Sequence, residues 1–332
     1  MNPFDPLLFL IIVISLAWSY DFYNGMNDAA NAIATTVSTR ALTPRQAIIL
    51  ARTMNVLGAF LTTEVAKTIG KGVVDPGSID QLVVISALAG AIGWSALCTY
   101  LGIPISITHA LVGGLMGAAI IAKGFAVIHY AGIQKIVIAM VLSPLAGFLA
   151  GFILMVMIYW LFRKALPEKV NKGFKYGQIV SAALMSLSHG SNDTQNAMGM
   201  ITAALLVGGF IDSFQVPVWV ILGSAIFMGL GTSFGGWKII RTMGMRLVKL
   251  KPVHGFTAEF SAAATIMIST LLGAPVSTTH VISASIMGVG STQRLSAVRW
   301  GIASNIVLTW ILTFPGSALI AIIVYWALKI VI

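Results

Sequence analysis

The chain reads as an all-α polytopic membrane protein made of two inverted-topology repeats, whose broken or re-entrant helices meet at a site near the bilayer midplane. Three observations carry this reading. Hydrophobic residues fill 58% of the 332 positions and charged residues only 9%, against about 25% charged in a soluble domain, and mean hydropathy is +0.93. A polar stretch inside the first apolar run, Asn24-Gly25-Met26-Asn27-Asp28-Ala29-Ala30-Asn31-Ala32, returns half a chain later as His189-Gly190-Ser191-Asn192-Asp193-Thr194-Gln195-Asn196-Ala197. Each half also holds five apolar runs near the bilayer-spanning length of about 20 residues. Five is odd, so the second half must enter the membrane from the opposite side.

The first-half runs are 7–37 (interrupted at 24–28), 44–66, 82–100, 104–122 and 136–162. The second-half runs are 176–211 (interrupted at 189–193), 216–237, 256–272, 275–289 and 298–332. This gives repeat 1 over 1–162, a basic connection over 163–175 and repeat 2 over 176–332. No basic segment precedes the first run, which therefore reads as a retained helix rather than a cleaved signal. The single cysteine, Cys98, excludes an intramolecular disulfide.

The net charge of +10 sits in short loops, where it sets orientation rather than recruiting nucleic acid. With the 163–175 connection in the cytoplasm, the alternating passes place 14 basic residues inside, Arg40, Arg163 and Lys251 among them. Only five fall outside: Lys67, Lys71, Lys123, Lys135 and Lys329. Equivalent loops differ in the same sense: 238–251 is basic, whereas 67–80 balances its two lysines with Asp75 and Asp80. This charge asymmetry supports the inversion independently of the motifs.

A second motif is also paired. Pro104-Ile105-Ser106-Ile107-Thr108-His109 answers Pro275-Val276-Ser277-Thr278-Thr279-His280, and Lys67-Thr68-Ile69-Gly70 weakly answers Arg241-Thr242-Met243-Gly244. Proline in the first turn and serine at the cap mark helix starts. Such an end offers unpaired amides and a partial positive charge to an anion. Two of them arriving from opposite leaflets, with Ser106, Thr108, Ser277 and Thr279, form a donor-rich cup. Asp28 and Asn31 are three apart, as are Asp193 and Asn196, so each pair shares a helix face. Their oxygens suit a hard cation. Ionisable groups at this depth mark an ion or substrate path, and a duplicated polar break points to a transporter.

Neither motif supplies lysine or arginine. A divalent oxyanion beside two aspartates in a low dielectric is prohibitive unless cations intervene, so transport is expected to be cation-coupled. No Walker A sequence, dinucleotide fingerprint or His-Glu-x-x-His pair is present, and an enzyme is not expected.

The paired Asn-Asp-x-x-Asn-Ala and Pro-(Ile/Val)-Ser-x-Thr-His motifs resemble the PiT family of inorganic phosphate transporters over nearly the whole chain. The resemblance implies a helical inverted-repeat fold, commonly a homodimer. It also implies carriage of phosphate with Na⁺, or with H⁺ and metal–phosphate complexes as in many bacterial members. The family's aspartates match Asp28 and Asp193, its serines Ser106 and Ser277, and its Gly-Phe-x-x-Glu glutamate Glu259. A family glutamate of the first repeat is replaced by Lys67, which Glu64 is placed to pair.

The expected function is thus Na⁺-coupled phosphate symport by alternating access, in the plasma (inner) membrane. Phosphate would sit on Ser106, Thr108, Ser277 and Thr279, with Asn27, Asn192 and Gln195 orienting the ligands. Na⁺ would sit on Asp28, Asn31, Asp193 and Asn196. Glu259, His109 and His280 are coupling candidates, and His189 reads as a break residue. Proton coupling and carriage of sulfate or metal–phosphate are the alternatives on the same fold. Na⁺ and phosphate are the bound ligands, lipid the surround, and no resident cofactor is expected.

Overall fold

The computed structural model describes residues 6–74 and 80–331; Asp75 of the loop-charge comparison lies outside them. Thirteen α-helices are described, together with an isolated antiparallel bridge, Val74 to Ile128. The first half gives α1 (Pro6–Ser38), α2 (Pro44–Gly58), α3 (Glu64–Gly72), α4 (Gln81–Leu101), α5 (Ile107–Lys123) and α6 (Tyr130–Leu161). The second gives α7 (Pro167–Asp193), α8 (Gln195–Val207), α9 (Val218–Phe234), α10 (Trp237–Arg241, prolonged by a π-turn over Thr242–Arg246), α11 (Pro252–Leu271), α12 (Thr278–Ser291) and α13 (Trp300–Val331).

Among the described residues four helices are long and apolar enough to cross a membrane: α1, α4, α6 and α13. The bent pair α9 and α10, meeting at 61°, makes a fifth. The outermost, α6 and α13, turn side chains such as Val141, Ile153, Ile311 and Ile323 outward, as lipid requires. Buried polar side chains are concentrated instead on the second half of α1 and on α7, α8, α11 and α12, as with Asn31, Ser181, Asn196, Thr257 and Ser283. The molecule is therefore apolar outside and polar along its centre, as expected where backbone and side-chain dipoles must find partners away from lipid.

The two polar stretches do not break their helices. α1 runs uninterrupted through Gly25, and α7 continues through Gly190 to Asp193, joining α8 at Thr194, whose backbone is itself helical. The glycines serve close packing. A Cβ on Gly25 would lie 2.2 Å from Met228 O of α9, and one on Gly190 would lie 2.2 Å from Asn55 O of α2. Gly190→Ala is expected to cost at least the ~1–3 kcal/mol of an overpacked core, because backbone rather than a pliable side chain is in the way. A fall in melting temperature of the purified protein checks this, with Gly173→Ala, which meets open space, as control.

The real interruptions lie elsewhere, at residues 59–63 between α2 and α3 and at 235–236 between α9 and α10. They fall in equivalent runs, which places the weak Lys67 and Arg241 match on the short helices α3 and α10. Lys67 pairs with Glu64 at 2.6 Å on an exposed surface, a contact that contributes little. The expected basic connection also shrinks. Pro167 opens α7 at the helix's first position, where proline is favoured, so Lys169, Lys172 and Lys175 ride on its exposed first turns.

Contacts within and between the halves sort the helix ends into two layers. In one, Lys238 Nζ donates to Tyr100 O at 2.8 Å, Arg299 N to Leu247 O at 3.1 Å, and Tyr159 Oη meets His254 Nε2 at 3.0 Å. In the other, His129 N donates to Val73 O at 3.0 Å and Thr68 Oγ1 to Gly273 O at 2.7 Å. Thus α4 ends in the layer where α11 begins, and α5 ends in the layer opposite the end of α12. The Pro104 segment passes from one layer to the other in two pieces, a non-helical lead over 103–106 followed by α5, about 25 Å long for its 17 residues at 1.5 Å each.

The packing interleaves the halves. α1 lies on α9, α2 on α7, α3 on α8, α5 on α13 and α6 on α12. Two hydrophobic cores result. One joins α3, α4 and α5 to Met198 and Ile201 of α8; the other joins Ala47 and Ala51 of α2 to α11 and α12. Neither core coincides with a sequence half.

Candidate functional site

The two capped helix starts lie within the molecule. Ser106 and Ser277 are each 1% exposed, with extended backbone as N-caps require. Each side chain accepts from the amide three residues on, His109 N at 3.1 Å and His280 N at 3.2 Å. Accepting uses a lone pair and leaves the hydroxyl proton free to donate. The preceding amides, of Ile107 and Thr108 and of Thr278 and Thr279, have no intrahelical acceptor. Each start therefore keeps donors for an anion.

Asp28 and Asp193 meet with a third group between them. His189 Nε2 lies 3.5 Å from Asp193 Oδ2 and 3.8 Å from Asp28 Oδ2. Ligand atoms of all three fall within 4.8 Å of one another. The far side of the ring is fixed: Asn55 Nδ2 donates to Thr232 Oγ1 at 2.9 Å, which turns Asn55 Oδ1 toward His189 Nδ1 at 3.0 Å. His189 Nδ1 then carries a proton, and Nε2 faces the carboxylates either as a lone pair or as N–H⁺. His189 is not a break residue, and the aspartates are not without a basic neighbour. The signal was in the sequence, since His189 and Asp193 stand four apart, one helical turn.

The four asparagines share one pattern. Asn31 Nδ2 donates to Thr279 Oγ1 at 2.9 Å and Thr278 Oγ1 at 3.3 Å, while Asn196 Nδ2 donates to Thr108 Oγ1 at 2.8 Å. Each link ties one half's polar stretch to the other half's helix start. Asn27 Nδ2 donates to Thr99 Oγ1 at 2.7 Å, and Asn192 Nδ2 donates to Thr270 Oγ1 at 2.7 Å; these links stay within a half. All four nitrogens are thereby engaged, whereas Oδ1 of Asn27, Asn31, Asn192 and Asn196, together with Asp193 Oδ1, is buried without a hydrogen-bond partner. Free oxygens and occupied nitrogens are what a hard cation needs.

The hydroxyls divide unequally. Thr279 Oγ1 donates to Asp28 Oδ1 at 3.1 Å and Thr278 Oγ1 to Asp193 Oδ2 at 3.1 Å. Thr279 therefore serves a carboxylate of the chain rather than a substrate oxyanion in this conformation, and Thr278, not anticipated from sequence, serves the other. Ile107 occupies the equivalent of Thr278, so the two halves of the site differ here. Tyr20 was also missed; its hydroxyl donates to Ile107 O at 3.1 Å and holds the start of α5.

Gln195 stands apart from the cluster, with both ends bound to backbone: Oε1 accepts from Ala66 N at 3.0 Å and Nε2 donates to Ser191 O at 2.5 Å. It positions α3. His109 and His280 pack against each other at 4.9 Å and against Phe314 and Trp310, behind the helix starts they follow. Glu259 occupies a separate polar pocket, accepting from Thr35, from Thr36 at 2.6 Å, from Gln178 at 3.0 Å and from Ser181 at 2.5 Å.

A helical membrane protein with two opposed, donor-rich helix starts beside a carboxylate and amide cluster has the makings of a carrier site. Comparison with known proteins agrees. Residues 24–321 match the model of the phosphate transporter family. A protein of Bacillus subtilis (strain 168) described as a probable low-affinity inorganic phosphate transporter is 48% identical over 98% of this chain and 99% of its own length. One of Rhizobium meliloti (strain 1021), described in the same words, is 45% identical over 97% of each chain. A solved structure described as the sodium-dependent phosphate transporter superposes with a TM-score of 0.90 at 30% identity, covering 98% of this chain and 100% of that one. The chain belongs to the phosphate transporter family, and it is a transporter rather than an enzyme.

Proposed function

We propose that this chain carries inorganic phosphate together with Na⁺ by alternating access. The observation that carries the reading is the cluster's division of labour: amide nitrogens spent on threonines, amide and carboxylate oxygens left free, and unspent donors at two helix starts alongside. The oxygens suit Na⁺, the donors suit phosphate, and Na⁺ between them screens the dianion from Asp28 and Asp193. Ser106, Ser277 and Thr108 with the first-turn amides hold phosphate oxygens. Asp28, Asp193 and the oxygens of Asn31 and Asn196 hold Na⁺. Asn27 and Asn192 brace the cluster against α4 and α11.

Asp28, Asp193, Ser106 and Ser277 are each 1% exposed, so access from either side requires the packed elements to part, as in a carrier and unlike an open channel. Equivalent helices running in opposite directions support the inverted-repeat reading, with repeats over 1–162 and 176–332. A plasma-membrane location and pairing as a homodimer complete the proposal; cross-linking in native membranes tests the pairing.

One observation favours a second reading. His189 between two carboxylates is a titratable group placed where a coupling proton could ride. Phosphate uptake into proteoliposomes, with Na⁺ and pH gradients imposed separately, decides between them. The sodium reading predicts accumulation driven by an inward Na⁺ gradient at equal pH, retained though weakened in His189→Gln. Accumulation driven by the pH gradient alone, and lost in His189→Gln, would establish the proton reading instead. Excess sulfate in the same assay tests selectivity. The free acceptor oxygens can receive the O–H of hydrogen phosphate, which sulfate lacks, so little competition is expected.

A further inference from the structure

A second acid of α1 is left unused by this site. Asp21 is 0% exposed, and neither carboxylate oxygen has a hydrogen-bond partner. Asn24, also 0% exposed, has both its amide oxygen and nitrogen unbonded. The described ion pairs are Lys67 with Glu64 and His189 with the two central aspartates, so no lysine or arginine answers Asp21. Seven residues separate it from Asp28, about 10 Å along the helix at 1.5 Å per residue, and it is not among the groups that gather at the central cluster.

The helix register shows what surrounds it. α1 touches α9 at Trp18 against Gly223 and at Gly25 against Met228. Ser224 falls between these contacts and faces Asp21; its hydroxyl is buried and closes no hydrogen bond of ordinary geometry. On the other side, Asn27 meets Thr99 of α4. One turn earlier on α4 stands Ser95, whose hydroxyl is likewise buried and unpartnered. Asn24 is three residues from both Asp21 and Asn27, so it lies on the face between α9 and α4.

We propose that Asp21, Asn24, Ser224 and Ser95 form a second monovalent-cation site on the α1–α4–α9 seam, separate from the phosphate site and taking Na⁺. An ionised carboxylate buried with both oxygens unbonded is too costly to persist alone. The neutral groups around it, an amide and two hydroxyls, offer oxygens to a hard cation. A single carboxylate balances one positive charge, which selects a monovalent ion. The site has no twin. The positions equivalent to Asp21 and Asn24 are Ser186, whose hydroxyl is bonded to Ala182 O at 2.7 Å, and His189, which serves the central cluster. The proposal rests on the sodium-coupled reading for its role in transport, but not for its occupancy.

The test is equilibrium binding of radioactive Na⁺ to the purified full chain without phosphate, for wild type, Asp21→Asn, Ser224→Ala and Asp28→Asn. Asp21→Asn is expected to bind one Na⁺ fewer than wild type while still binding phosphate at saturating Na⁺. Ser224→Ala keeps the carboxylate and is expected to retain the full number of ions with one of them bound about 3–10-fold more weakly, the loss of one hydroxyl ligand. Unchanged Na⁺ number in Asp21→Asn overturns the inference, as does proton release on Na⁺-free titration that disappears in that variant with Na⁺ binding intact. If Asp21→Asn is unchanged while Asp28→Asn loses an ion, the inference falls and the sodium-coupled reading stands. If phosphate binding ignores Na⁺ in every protein, the sodium-coupled reading falls, while loss of an ion in Asp21→Asn still establishes the seam site.

Discussion

Asp28→Asn and Asp193→Asn are each expected to lower Na⁺-dependent phosphate uptake by about 100-fold, with the loss concentrated in apparent Na⁺ affinity. The substitution keeps the shape and one oxygen but removes the charge that offsets a cation. Removing one partner of a buried, hydrogen-bonded charge pair costs about 3–5 kcal/mol, and each 1.4 kcal/mol is tenfold in affinity; partial solvation of the open states reduces that to the figure given. The two variants should differ in detail. Asp28 accepts from Thr279 and Asp193 from Thr278, and Asp193 Oδ1 is in addition buried without a partner. Asp193→Asn is thus expected to lose more. Uptake against Na⁺ concentration, with surface expression measured in parallel, checks both. Sodium dependence unchanged in the two variants removes the aspartates from the cation site.

Ser106→Ala and Ser277→Ala are expected to weaken phosphate binding by about 10–100-fold each, and Ser→Thr at the same positions to restore most of it. Two losses combine. The cap accepted by His109 N or His280 N is worth about 1 kcal/mol to the helix start. The hydroxyl proton it left free is worth about 1.5–3 kcal/mol when it meets a charged oxygen. The cap term appears as lost thermal stability without phosphate and the donor term as lost phosphate affinity. Threonine restores both, because it presents the same hydroxyl with the extended backbone already in place. An alanine variant that melts lower yet binds phosphate normally would confine these serines to capping.

Much of this site was legible in the residues. The paired serine motifs mark buried helix starts because a cap needs a hydroxyl beside a proline-led turn, a local requirement. Asp28, Asn31, Asp193 and Asn196 converge because polar groups inside apolar helices have to find one another. Other features depend on neighbours remote in sequence. Gly25 and Gly190 suggested breaks but answer close approach by α9 and α2, which a single stretch cannot reveal. Gln195 matched the repeat by position, yet its amide is consumed by Ala66 N across an interface. His189 reads as a break residue by its place beside Gly190, although its spacing from Asp193 points to the cluster. Asp21 escaped the two-fold comparison because it has no counterpart to pair with.

The central claim is that phosphate rests beside Asp28 and Asp193 only in the company of cations. It is tested most directly by the equilibrium dissociation constant of phosphate for the purified protein, measured at constant pH and ionic strength as Na⁺ replaces an organic cation. Affinity is expected to climb with Na⁺, by at least tenfold per tenfold in Na⁺ below saturation, the slope of one obligatory companion ion. Affinity indifferent to Na⁺ would contradict it.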